Sequence, residues 1–182
     1  MSRIEDALSA QQEAVSLFRA VVAHRQEQKV NLALALHDCG YTLFKMNRLE
    51  DALSAQQEAV SLFRALVAHR EEQKEYLALA LHDCGYTLFT MRRLEDALGV
   101  QQEAVSLFRA FVAHGNGPKR YLALALRQCG HTLSDMGRLE DAFGVQQEAV
   151  SLFPALVAHR EAPQSPESGA VQALTSIVEL PP

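Results

Sequence analysis

Apolar side chains along this chain fall at helical spacing. In the stretch that begins at Arg48, the residues Leu49, Leu53, Val60, Phe63 and Val67 lie three, four or seven positions apart. That spacing stacks them on one face of a helix, whereas a half-buried strand would alternate its faces. A second stretch places Leu77, Leu81, Leu88 and Met91 in the same way. Ala, Leu, Glu and Gln dominate both, and all four are good helix formers. The pattern predicts an all-α chain.

The pattern is also copied. RIEDALSAQQEAVSLFRAVVAH starts at Arg3, and close copies start at Arg48, Arg93 and Arg138, each 45 residues after the last. Between them lie LALALHDCGYTLFKM, LALALHDCGYTLFTM and LALALRQCGHTLSDM. Residues 3–47 and 48–92 differ at seven of 45 positions. A fixed period of this length is the signature of a repeat array, in which each unit buries its apolar face against a neighbour. Two helices are expected per unit: long second helices starting at 3, 48, 93 and 138, and first helices over about 28–46, 73–91 and 118–136, the array spanning 1–160.

Turn chemistry fits two helices. Ser2 with Glu5 reads as a capping box, Asn47 with Glu50 repeats it, and Gly137 occupies the same turn in the last unit. The other junction is explicit in Gly115-Asn116-Gly117-Pro118, where glycine ends one helix and proline opens the next. By alignment the earlier breaks fall near Arg25–Gln28 and Arg70–Gln73, which hold neither glycine nor proline. REEQKEY can also continue as helix, giving a rod of roughly 40 residues, about 60 Å long, that favours swapped dimers.

The pair LALALHDCGYTLFTMRRLEDALGVQQEAVSLF resembles the tetratricopeptide repeat. Its small residue in the first helix matches Gly40, Gly85 and Gly130; its close-packing alanines match Ala52, Ala97 and Ala142, then Ala59, Ala104 and Ala149. The resemblance covers about residues 2–160. Two departures stand out. Gln56, Gln101 and Gln146 replace the family's usual aromatic, so packing there must differ. The period exceeds the family's common repeat of about 34 residues by eleven, about three helical turns, which lengthens both helices and preserves their facing. The unit is similar to the longer repeats of kinesin light chains. The resemblance implies an α-solenoid, a right-handed superhelix of antiparallel helix pairs. Leu43, Phe63 and their equivalents would fill the space between pairs. Pro154 stands where Arg19, Arg64 and Arg109 stand and would kink or cut the last long helix. After it, residues 161–182 begin as a linker rich in Pro and Ser, and 169–179 can form a short helix covering the C-terminal face.

Composition narrows the function. The 182 residues are 48% hydrophobic and 21% charged, enough to bury a core, and carry a net charge of −5. An acidic balance argues against nucleic-acid binding, since nothing could neutralise a run of phosphates. No stretch approaches the roughly 20 apolar residues needed to cross a bilayer, and MSRIEDALSA is too charged for a signal peptide. A soluble, cytoplasmic protein is expected. Cys39, Cys84 and Cys129, at equal spacing and odd in number, read as reduced core thiols.

Chemistry-bearing motifs are missing. His24, His69, His114 and His159 recur near the ends of long helices, where a cation meets the negative end of the dipole. His37 with Cys39, and His82 with Cys84, point about 200° apart on a helix and cannot share a metal. No nucleophile–base pair, phosphate loop or HExxH string occurs. The expectation is no catalytic residues, no metal and no cofactor: not an enzyme but a scaffold for a protein or peptide. If the superhelix follows the family, first helices line the concave groove. They would present His37, Asp38, Tyr41 and Lys45, then His82, Asp83, Tyr86 and Thr90, then Arg127, Gln128, His131 and Asp135. The family's carboxylate clamp is not supported, because His37, Tyr41 and Asp83 hold its places. The alternatives are a homo-oligomer assembled through its repeat ends, or a fragment of a larger signalling protein.

Overall fold

Acidic residues begin each long helix and set its direction. Glu5 and Asp6, Glu50 and Asp51, Glu95 and Asp96, and Glu140 and Asp141 sit in the first turn, beside the positive end of the helix dipole. A computed structural model describes residues 3–22, 28–68, 73–115 and 119–152. It contains, in order, α1 (Arg3–Val22), α2 (Lys29–Lys45), α3 (Leu49–Val67), α4 (Lys74–Thr90), α5 (Leu94–Ala113), α6 (Lys119–Asp135) and α7 (Leu139–Ser151), with no strand among the described residues. The Ser2 cap, His24, His69, His159, Pro154 and the segment 161–182 lie outside the described residues.

The turn between short and long helices differs from the expected capping box. Asn47 does not cap α3. It takes φ 58, and Arg92 and Gly137 take φ 61 and φ 75 at the matching places. Asn47 N–H donates to Phe44 O at 2.9 Å and Arg48 N–H to Leu43 O at 2.9 Å, satisfying the last carbonyls of α2 in a Schellman motif. Arg48 becomes the N-cap without a side-chain cap; its guanidinium instead holds Asp51, Nε to Oδ2 at 2.8 Å. Left-handed geometry explains the residue choice, since Asn and Gly tolerate it and Arg92 does so at a cost.

Each helix packs against the next in the chain. The lateral contacts of α1 with α2, and of α3 with α4, exclude the continuous rod, because a straight helix cannot lie against itself. Small residues set the distance inside a pair: Ala52, Ala59, Ala97 and Ala104 are wholly buried. The glutamines that replace the aromatic lie over the glycines. A Cβ on Gly40, Gly85 or Gly130 would meet the Cγ of Gln56, Gln101 or Gln146 at 2.7, 2.7 and 2.8 Å. The glutamine stem thus fills the space that glycine leaves. Between pairs, Phe63 stacks on Tyr76 at 5.8 Å and Phe108 on Tyr121 at 5.9 Å.

Backbones of α2 and α4, and of α4 and α6, come close, whereas α1, α3, α5 and α7 make no backbone approach to one another among the described residues. The short helices thus line one side of an all-α solenoid, the side on which successive units approach most closely.

Candidate functional site

The short-helix side carries the side chains of α2, α4 and α6 that do not point into the core. On α2, Leu32, Leu36, Cys39 and Leu43 are buried, which leaves His37, Asp38, Tyr41 and Lys45 on the open side. Asp38 and Lys45 are exposed, His37 and Tyr41 half-buried. The Lys45 ammonium lies 5.7 Å from the centre of the Tyr41 ring. On α4, His82 and Asp83 are half-buried, Thr90 is exposed and Tyr86 is 47% exposed, resting one edge on Phe44 of α2 at 5.2 Å. On α6, Arg127, His131 and Asp135 are exposed. Gln128 is not open surface: it is 8% exposed, and both amide atoms lack a protein partner.

Four of these residues form one charged cluster joining α2 to α4. His37 Nε2 lies 3.0 Å from Asp83 Oδ2, though the ring N–H is not aligned for a hydrogen bond, and His82 Nδ1 lies 3.0 Å from Asp83 Oδ1. Asp38 Oδ1 sits 3.6 Å from His37 Nδ1. Burial alone would lower the imidazole of His37, but the carboxylates of Asp38 and Asp83 outweigh it and raise its pKa to about 10. Burial likewise disfavours the Asp83 carboxylate, and the two histidines overcome it, holding Asp83 well below the usual carboxylate range. Near neutral pH this is a protonated imidazole against a carboxylate, a fixed ion pair. Burial first, and Asp83 second, push the Tyr41 phenol upward. In the next unit Gln128 replaces the aspartate, so the cluster is not repeated between α4 and α6.

The three thiols are core, as their spacing implied. Cys39, Cys84 and Cys129 are buried and unpaired, and burial raises all three, Cys84 to about 11. That leaves them protonated and weakly nucleophilic. His114 Nδ1 approaches the Ala110 carbonyl at 2.6 Å at the end of α5.

Two features on the opposite side escaped sequence reading. Arg19, Arg64 and Arg109 pair with Glu58, Glu103 and Glu148, one long helix to the next, each across 39 residues. The repeated Arg and Glu were visible in each copy; what was missing was the knowledge that equivalent long helices face each other. A cleft of about 270 Å³ lies between α1 and α3, with Leu36, Cys39 and Leu43 on its floor and Arg19 and Glu58 at its rim. Ala55 lines this cleft, and Val100 and Val145 stand at the matching places of the later units.

No protein-family model matches the chain, and no curated protein matches it in sequence. Among solved structures it is similar to the crystal structure of MamA, with a TM-score of 0.54 and 14% identity, over 87% of this chain and 98% of that one. The fold is a tetratricopeptide-like helical repeat. BtubC from P. vanneervenii aligns over 93% of this chain and 97% of its own at 12% identity, but a TM-score of 0.29 gives that likeness no weight. No helix among the described residues is long and apolar enough to cross a membrane.

Proposed function

We propose that the chain is a non-catalytic, cytoplasmic scaffold that holds a protein or peptide along its inner face. The observation that carries this reading is the row Asp38, Lys45, Tyr86, Arg127 and His131, left exposed where successive short helices converge. None of these side chains is needed to pack a helix pair, and Tyr and Arg are the residues most often found as binding anchors. The net charge of −5 disfavours nucleic acid as the ligand.

Selection of binders from a random peptide display library on the intact chain tests this. Tyr86→Ala and Arg127→Ala are each expected to weaken the selected peptides about tenfold or more, the scale of a modest hot spot. Arg64→Ala, on the outer side, should leave affinity unchanged. Peptides that ignore both inner changes and lose affinity with Arg64→Ala would move the site to the other face. A second reading, self-assembly through the repeat ends, is favoured by the apolar side chains exposed on α1 and α7, Leu17 and Val21 at one end, Phe143 and Val150 at the other. Light scattering over a concentration series separates the two, since a monomer throughout removes assembly.

A further inference from the structure

The cleft between α1 and α3 lies on the long-helix side, away from the row proposed to hold a protein. Its floor is apolar: Val15 on α1, Leu36, Cys39 and Leu43 on α2, and Ala55 on α3. Cys39 belongs to this floor as an apolar group, because burial keeps its thiol protonated. The rim carries two cations and two anions already paired with each other, Arg19 with Glu58 and Arg48 with Asp51. Their charges cancel. Ser16 and Ser54 add neutral hydroxyls beside them.

The repeat supplies its own comparison. Every residue that lines the cleft recurs one and two periods later, except that Ser54-Ala55 becomes Gly99-Val100 and then Gly144-Val145. Val100 and Val145 turn a methyl toward the facing short helix: Cγ2 stands 3.2 Å and 3.3 Å from the Cβ position of Gly85 and Gly130. The atoms nearest that position of Gly40 belong to Gln56 and Ala52 instead. Floor exposure differs in the same sense. Leu36, Cys39 and Leu43 are 3%, 5% and 4% exposed, whereas Leu81, Cys84 and Leu88, and again Leu126, Cys129 and Leu133, are 0%, 2% and 2% exposed. Each of α2, α4 and α6 packs between a preceding and a following long helix, so a missing neighbour does not account for the difference.

We infer that the α1–α3 cleft binds a small uncharged molecule with a branched apolar body, and that alanine at position 55 keeps it open. Size sets the first limit: about 270 Å³ lies just below the usual range of ligand sites, roughly 300–1,000 Å³, and suits a ligand of about ten heavy atoms. Shape sets the second, since the later units place the branched side chain of valine at this point of the seam. Charge sets the third. Both rim guanidiniums already hold a carboxylate, so a charged ligand would lose its water without meeting a free counter-charge. None of the large apolar side chains left exposed among the described residues lines the cleft, as an extended apolar interface with another protein would require.

A nitrogen–proton NMR titration of the intact chain with para-isopropylphenol tests the inference. Shifts should centre on Ser16, Cys39 and Ala55 and give a Kd of about 1 mM or tighter, the range open to so small a ligand. Ala55→Val introduces the side chain that both later units already carry, so the array keeps its fold, and it should weaken binding at least tenfold. Val100→Ala should open a second site and add shifts around Ser61 and Cys84. Para-isopropylbenzoate, of similar shape but anionic, should bind at least tenfold more weakly than the phenol. The inference is overturned by an unaltered chain with no shifts at the cleft, by binding that survives Ala55→Val, by Val100→Ala without added shifts, or by a benzoate that binds as tightly as the phenol. Display-selected peptides that lose affinity with Ala55→Val would also overturn it, giving the cleft to a side chain of a partner protein.

Discussion

Replacing Gly85 by alanine puts one methyl group into the tightest place in the fold. The new Cβ would stand 2.7 Å from Gln101 Cγ and 3.2 Å from Val100 Cγ2. Carbon atoms in contact normally keep about 3.5–4.0 Å, so roughly 1 Å must be found by moving the middle of a side chain that is itself buried. Overpacking of this kind costs about 1–3 kcal/mol, against a helix-propensity gain of about 1 kcal/mol for Gly→Ala, which leaves a net loss of up to about 2 kcal/mol. The shift also threatens the hydrogen bond from Gln101 Nε2 to Gly85 O at 3.2 Å. Gly99, in α5, has nothing within 4 Å of its virtual Cβ, so Gly99→Ala should stabilise by about 0.5–1 kcal/mol. Urea unfolding followed by circular dichroism reads both, with midpoints moving in opposite directions by roughly 0.3–1 M. Adding Gln101→Ala to Gly85→Ala removes the clashing Cγ and should make the pair less destabilising than the sum of the single changes. If Gly85→Ala is as stabilising as Gly99→Ala, the glycine–glutamine seam does not set the distance between helices, and the reasoning fails.

Other consequences are equally measurable. Arg92→Gly should raise stability by about 0.5–1 kcal/mol, because glycine accepts the φ of 61 that arginine holds at a cost; an unchanged or lower unfolding midpoint contradicts this. The pair His37–Asp83 should give stability a flat region between about pH 4 and pH 6.5. His37 is raised to about 10, so its contribution is full below its ordinary value and lost as pH climbs through about 6.5–10. Asp83 is depressed, so its contribution is full above the ordinary carboxylate range and lost as pH falls below it. His37→Gln should flatten the alkaline limb, removing about 1–3 kcal/mol of slope between pH 6.5 and 9.5; an unaltered limb refutes the pairing. Arg64 and Glu103, both well exposed at the outer surface, should couple by less than about 1 kcal/mol in a double-mutant cycle, and less again in high salt.

The helical spacing and the 45-residue copy carried the architecture, because each copy must bury the same stripe against neighbours of the same kind. The thiols were legible for the same reason: equal spacing means equal surroundings, and Cys39, Cys84 and Cys129 are all buried. The turn after α2 was misread because Asn with Glu three residues on fits a capping box, while asparagine also tolerates the left-handed conformation; the structure gives Asn47 the second role. Contacts between equivalent helices were hidden. Asp83 meets His37 from one unit and His82 from its own, and no local pattern reveals a partner 46 residues away. Gln128 sits at the aspartate's position but is buried.

Everything functional rests on which way the stack bends. Spin labels on Lys45→Cys with Asp135→Cys, inner positions two units apart, and on Gln12→Cys with Gln102→Cys, outer positions two units apart, measure it directly by electron–electron resonance. Convergence of the short helices predicts a clearly shorter distance for the inner pair. Equal distances would describe a straight stack, and a shorter outer distance would put the long helices on the inside; either result contradicts the proposed docking face.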